Sequence, residues 1–186
     1  MKTQAQAVVN GFAYAAAAAL VGCTAAHAYP ERPKGPVLDL ADILPATDEE
    51  ALSERLTKLW STTGNALVVV SVNSLEGRSI EDYAAGLFNE WGIGDAKTNR
   101  GVLVLVAPTE HKVRIEVGCG LTGRISDEFA ATVIREAIIP RYKSGALEAG
   151  TILGVGRLAA KLEGPATAND NIPTPALCKD RAKTAA

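Results

Sequence analysis

Two short stretches of nearly continuous apolar residues constrain the fold of this 186-residue chain most strongly. Residues 66–72 (ALVVVSV) and 102–106 (VLVLV) have the pattern of strands that are covered on both faces. Helical patterns lie between and around these strands, which is typical of an α/β protein with helices on both sides of a sheet. We therefore predict a three-layer α/β/α sandwich with a central mixed sheet, and an apolar content of 47% is sufficient for one core.

The first helix is predicted from a capping-box pattern formed by Thr47 and Glu50. Its apolar stripe, which we expect to face the core, ends before residues 63–65 and consists of Leu52, Leu56, Leu59 and Trp60. This stripe predicts packing against the sheet and indicates no function.

Three further helices are predicted from capping residues and helical spacing. One begins at Ser79 and stops at Gly92, and the next begins at residue 126 or 127 and ends at Pro140. The last covers residues 146–162, and its glycines at positions 150, 154 and 156 favour close packing against a neighbour.

The N-terminal segment of the chain predicts export. Residues 1–28 resemble a signal peptide, because a positive start and an alanine-rich apolar run precede a small-x-small cleavage pattern. A lipoprotein signal ending at residue 22, with a lipid on Cys23, is an equal alternative. We expect an extended lead at residues 29–36, a domain over residues 37–163 and a flexible tail at residues 164–186. The protein is thus expected in the periplasm or lipid-anchored to the outer envelope membrane.

Charge and cysteine content narrow the classes of partner. A net charge of −2 and a pI near 5.7 argue against nucleic-acid binding, because no basic excess exists to replace phosphate counterions. We expect membrane attachment only if Cys23 carries a lipid. The expected partners are unidentified envelope proteins, and the expected oligomeric state is a monomer. In an oxidising compartment Cys119 and Cys178 are the remaining thiols, and the sequence leaves open whether they pair.

Glycine-rich turns border the strand at residues 112–117, where Arg114 and Glu116 occupy one face and apolar residues occupy the other. One interpretation is an edge strand with a solvated polar face. The other is that these two side chains lead towards Gly118 and line a cleft at the end of the sheet.

Several phrases of the sequence together resemble the TPM domain family over residues 36–164. They are DLA at residues 39–41, IEDYA at 80–84, WGIG at 91–94, NRGVL at 99–103, RIEVGCGLTG at 114–123 and PRY at 140–142. The resemblance implies an α/β/α sandwich in exported or membrane-associated proteins, some described as calcium binders and some as acid phosphatases. The family's VGYGLEG stands here as VGCGLTG, so a tyrosine and a glutamate are missing.

The resemblance favours two functions of different classes. As a binding module the protein would hold Ca²⁺ with oxygen ligands, and the candidates at element ends are Asp39, Asp95, Glu116 and Asp127. Other residues expected to line this site are Arg114, Asn99 and Gly118. As a metal-dependent acid phosphatase it would use Asp39 or Asp127 as base or nucleophile and Arg114 to stabilise developing charge. We favour the binding or accessory function, because catalysis depends on the resemblance alone.

Overall fold

A computed structural model describes residues 29–165 of the chain. The strands are β1 (Val37–Asp39), β2 (Ala66–Ser71), β3 (Gly101–Ala107) and β4 (Lys112–Val117). The helices are α1 (Ala46–Thr63), α2 (Ile80–Glu90), α3 (Asp127–Thr132), α4 (Ile139–Lys143) and α5 (Leu147–Glu163). A short 3-10 turn (Cys119–Leu121) follows β4, and a π-helical segment (Val133–Ile138) joins α3 to α4. The predicted signal sequence and most of the predicted tail lie outside the described residues.

The four strands form one mixed sheet in the order β1-β2-β3-β4. β1, β2 and β3 run parallel, and β4 returns antiparallel to β3 through a tight turn. The mixed sheet is confirmed; β4 has the bounds predicted for it, and β3 extends one residue beyond the apolar run at each end. β1 is a short edge strand that the sequence does not single out, because its three residues are too few to show a period.

Helices cover both faces of the sheet, which confirms the α/β/α class. On one face α1, α5 and the π-helical segment bury the side chains of Val37, Val69, Val104 and Ile115 in a continuous core. On the other face α2 packs over β3 and β4, and the completely buried Val70, Leu103 and Leu105 point to that side. The register therefore assigns each strand residue to one of two helical layers.

Two details of the helices differ from the predictions. α1 begins after Pro45 with no side-chain cap, so the capping box of Thr47 and Glu50 does not form. The stripe of α1 also ends earlier than predicted: Leu59 is buried, whereas Trp60 is 45% exposed. Trp60 lies one residue past the buried face near the end of the helix, where the sheet no longer covers it.

Pro140 does not end the third predicted helix. The helical path continues through the π-helical segment, where the N–H of Ile139 donates to the carbonyl of Ile134, five residues back. Pro140 follows in the first turn of α4. Backbone N–H groups in a first turn have no partner within the helix, so the lack of an N–H in proline costs no hydrogen bond there. The wider π turn thus accommodates the ring, and the Arg141 guanidinium donates to the carbonyl of Ala137 at 3.1 Å.

α5 packs closely against the α4 region, as its glycines predict. A Cβ added to Gly154 would lie 2.6 Å from Cγ1 of Ile138, and one added to Gly150 would lie 2.7 Å from the Tyr142 ring. Gly156 differs, because the nearest atom to its added Cβ is the Arg55 guanidinium at 3.7 Å. Two of the three glycines are therefore required by the contact between helices.

Candidate functional site

The carboxyl ends of β1 and β2 carry a hydrogen-bond network centred on Asp39. One oxygen of Asp39 accepts the backbone N–H of Leu44 at 2.7 Å, and the other accepts the hydroxyl of Ser71. The Ser71 oxygen in turn accepts the N–H of Ala41 at 2.9 Å. Both oxygens of this carboxylate therefore hold the loop between β1 and α1 against β2.

Two acidic side chains meet beside this loop. Asp48 lies in the first turn of α1 and Glu148 in the first turn of α5, so both helices begin at the same edge of the sheet. A hydrogen bond with the Asp48 carboxyl raises the pKa of Glu148, and burial and the Asp48 charge act in the same direction. Two carboxyls this close favour binding a proton or a cation between them.

A shallow hollow of about 400 Å³ adjoins this carboxyl pair. Its lining includes the acidic Asp42 and Glu148, and it contains no lysine, arginine or histidine. Asp42 adopts a left-handed backbone conformation with φ of 52°. The hollow lies outside the carboxyl ends of parallel strands, where open α/β sheets bind ligands.

Asp95 and Asn99 lie at the opposite edge of the sheet, in the turn before β3. One oxygen of Asp95 accepts the backbone N–H groups of Lys97 at 2.7 Å and Thr98 at 3.2 Å. Asn99 has a left-handed φ of 48° and donates its side-chain amide to Sγ of Cys119 at 3.3 Å. These contacts shape the turn and bring it against the chain that follows β4.

Gly118 and Cys119 complete that contact. A Cβ added to Gly118 would lie 2.3 Å from the carbonyl oxygen of Asn99, so only glycine permits the close approach. Cys119 is buried and disulfide-bonded. The described residues contain no second cysteine, so its partner, and with it the question of Cys178, lies outside them.

Arg114 and Glu116 pair with each other on β4, with 3.0 Å between the guanidinium and carboxylate atoms. β4 is an edge strand, as one of the two interpretations predicts, and both side chains remain partly exposed. Asp127 lies in the first turn of α3, next to the capping Ser126, where a negative charge stabilises the helix.

The four predicted calcium ligands are not brought together. Asp39 pairs in register with Ser71 and so points to the α1 side, whereas Glu116 pairs with Leu103 and points to the α2 side. Three strand spacings across and three residues along the sheet separate their Cα atoms by roughly 17 Å. Ca²⁺ holds its oxygen ligands at about 2.5 Å, so these two cannot share one ion.

Across residues 29–165, no group of three or more His, Cys, Asp or Glu side chains is arranged to hold a metal. The pair of Asp48 and Glu148 is the acidic contact that sequence reasoning missed. Each is an acidic residue in the first turn of a helix, which sequence patterns explain by the helix dipole alone. Nothing in the sequence indicates that the two helix starts are neighbours.

The fold and the hollow define the class of protein: it is a single-sheet α/β/α sandwich domain with an acidic depression at the carboxyl ends of its parallel strands. Residues 37–161 match the TPM domain family. The chain belongs to that family, and the resemblance seen in the sequence is confirmed. No curated protein is similar enough to count as a match.

Three solved structures share this fold. The N-terminal domain of a protein from P. gingivalis has 31% identity and a TM-score of 0.65, with 69% of this chain and 82% of that one covered. BA42 from Bizionia argentinensis has 24% identity and a TM-score of 0.58, with 73% and 94% covered. The N-terminal domain of cg2496 from Corynebacterium glutamicum has 12% identity and a TM-score of 0.54, with 75% and 88% covered. The last two support the fold alone.

Proposed function

We propose that this TPM-domain protein is an exported accessory module of the cell envelope that binds a divalent cation, Ca²⁺, through Asp48 and Glu148. The observation that carries the proposal is the placement of Asp48 and Glu148 in the first turns of two helices beside the acidic hollow, where a hydrogen bond with Asp48 raises the pKa of Glu148. A divalent ion between them would replace the repulsion of like charges by attraction to both. The proposal moves the cation from the four carboxylates predicted from the sequence to a pair that the fold brings together.

The donor set favours a weak site. Ca²⁺ takes six to eight oxygens, and two carboxylates supply only part of them, so backbone carbonyls and water would complete the shell. Asp42 lines the adjoining hollow and adds negative charge. We therefore expect a dissociation constant of about 10⁻⁴ to 10⁻³ M, the range of weak extracellular calcium sites.

The alternative, a metal-dependent acid phosphatase, has less support. A transferring phosphoryl group develops negative charge that basic side chains usually stabilise. No basic side chain lines the hollow, and Arg114, the predicted stabiliser, is paired with Glu116 on an edge strand. Binding without turnover is therefore the better-supported function.

One observation supports export. Cys119 is disulfide-bonded, and disulfides persist mainly in oxidising compartments outside the cytoplasm. No helix within residues 29–165 has the length and apolar character required to cross a bilayer. The signal sequence and a lipid on Cys23 remain predictions that mass spectrometry of the mature protein would test.

Calorimetric titration of the full chain with CaCl₂ tests the proposal. We expect binding heat for the wild type and at least a tenfold loss of affinity in the double variant Asp48→Asn, Glu148→Gln. Because protons compete for a carboxyl of raised pKa, affinity should fall on acidification at a higher pH than for an isolated glutamate. Glu54→Gln, an exposed acid later in α1, is the matched control and should bind as the wild type does.

Two further arms separate the competing functions. Loss of binding in Asp95→Asn or Glu116→Gln, with the double variant unchanged, would contradict the carboxyl-pair site. Hydrolysis of p-nitrophenyl phosphate at acid pH is measured on the same samples. Turnover by the wild type that the double variant lacks would overturn the accessory function in favour of the phosphatase.

A further inference from the structure

Trp60 is an exposed aromatic side chain at the end of the sheet where β2 and β3 begin, opposite the acidic hollow. Within residues 29–165 the large apolar side chains that are exposed are Trp60, at 45%, and Leu40, at 44%. Trp60 lies near the end of α1, and a depression adjoins it on each side. An exposed tryptophan between two depressions is a typical anchor for a binding partner.

The first depression is a hollow of about 310 Å³ between the lead, α1 and the start of β2. Apolar walls come from Leu56, Trp60 and Trp91, and Arg32 and Lys34 lie at its margin. The second depression, of about 400 Å³, lies beyond Trp60 and includes Lys97 and Arg100. We call the two together the Trp60 groove.

Four basic side chains border the Trp60 groove, two in each depression. The Arg32 guanidinium donates to the backbone carbonyl of Trp91, and the Arg100 guanidinium donates to the side-chain oxygen of Asn65 at 2.8 Å. Both partners are neutral, so both charges remain. In the described part of the chain neither these arginines nor Lys34 and Lys97 form an ion pair with a carboxylate.

We propose that the Trp60 groove binds an extended acidic segment of a partner protein. An aliphatic or aromatic side chain of that segment would enter the hollow beside Trp60, and its carboxylates would face the two basic pairs. Charge complementarity carries this assignment, because four unneutralised cations are gathered here on a chain whose net charge is −2. Asp95 also lines the second depression and keeps its negative charge, because its partners are two neutral backbone N–H groups, so the groove holds four cations against one carboxylate.

Charge also argues against the chain's own tail as the occupant. Residues 166–186 carry two acidic side chains, Asp170 and Asp180, against three basic ones, Lys179, Arg181 and Lys183. A segment with this balance gains nothing from four cations. A second copy of the chain is the remaining competitor, and the experiment is designed to detect it.

The test measures fluorescence anisotropy of a labelled synthetic peptide of glutamates around one central leucine, titrated with the full chain. We expect binding that weakens with added salt, and none of the same peptide with lysines in place of glutamates. Trp60→Ala should weaken binding about tenfold or more, as the loss of a central aromatic anchor does. Leu40→Ala, the other exposed apolar side chain, is its control and should leave binding unchanged.

Charge reversal tests the electrostatic half of the proposal. The double variant Lys34→Glu, Lys97→Glu should lower affinity about tenfold or more, whereas Lys143→Glu, an exposed lysine of α4, should not. Equal binding of both peptides, or full affinity in Trp60→Ala, would overturn the proposal. Sedimentation that shows a wild-type dimer lost in Trp60→Ala would also overturn it, since a second copy would then occupy the groove.

Discussion

Replacing Asp39 separates a structural role from a ligand role. Asp39→Ala removes two acceptor oxygens, one from the N–H of Leu44 at 2.7 Å and one from the Ser71 hydroxyl. Hydrogen bonds to a charged acceptor contribute about 1.5–3 kcal/mol each when buried, and we take about 1–2 kcal/mol each because Asp39 is only half-buried. The expected loss of unfolding free energy is therefore about 2–4 kcal/mol.

This loss of unfolding free energy corresponds to a lower Tm, which calorimetry measures. With an unfolding entropy of about 2.1 cal/mol/K per residue, roughly 140 structured residues give a drop of about 7–14 °C in Tm. Asp39→Asn keeps one acceptor oxygen and should lose about half as much. Urea unfolding followed by tryptophan fluorescence measures the same free energy independently.

Calcium titration of the Asp39 variants completes the test. If the Asp39 carboxylate fixes the loop and is no ligand, the folded Asp39→Asn protein should bind Ca²⁺ as the wild type does. A variant that melts within about 2 °C of the wild type but has lost calcium binding would refute the structural reading, because that shift corresponds to well under 1 kcal/mol.

Two further predictions concern α5 and its neighbours. Gly154→Ala should destabilise the protein by about 1–3 kcal/mol, because the new methyl group would meet Ile138 at 2.6 Å, whereas Gly156→Ala should stabilise it by about 0.5–1 kcal/mol; urea unfolding that gives both variants the same sign would contradict the packing. Burial raises the pKa of Tyr142 above its ordinary value of 10.0, and the hydrogen bond with Thr151 opposes this only in part. The folded state thus holds this proton more tightly than the unfolded chain, so the associated stability is complete below pH 10 and is lost as pH rises through the folded-state pKa. Tyr142→Phe should reduce that alkaline loss in urea unfolding, and an unchanged pH profile would exclude Tyr142 as its source.

The sequence alone predicted the class of fold and most of its elements. Local patterns decide those features: a continuous apolar run at residues 102–106 indicates a strand covered on both sides, and the alternation at residues 112–117 indicates one polar face. Ser79 caps its helix as predicted, and Ser126 is the cap of the two candidates predicted for the third helix, since a capping bond spans only three residues. The motifs also identified the family, which the comparison confirms.

Only the tertiary structure decided which distant side chains meet. Asp39 and Glu116 both stand at the ends of strands, yet strand order and register place them on opposite faces of the sheet. Asp48 and Glu148 are separated by most of the domain, and they meet because α1 and α5 begin at the same edge. Trp60 follows the helical spacing of a core residue but lies where no layer covers it. A periodic pattern fixes the direction of a side chain relative to its own helix or strand, whereas contact also depends on how the layers stack.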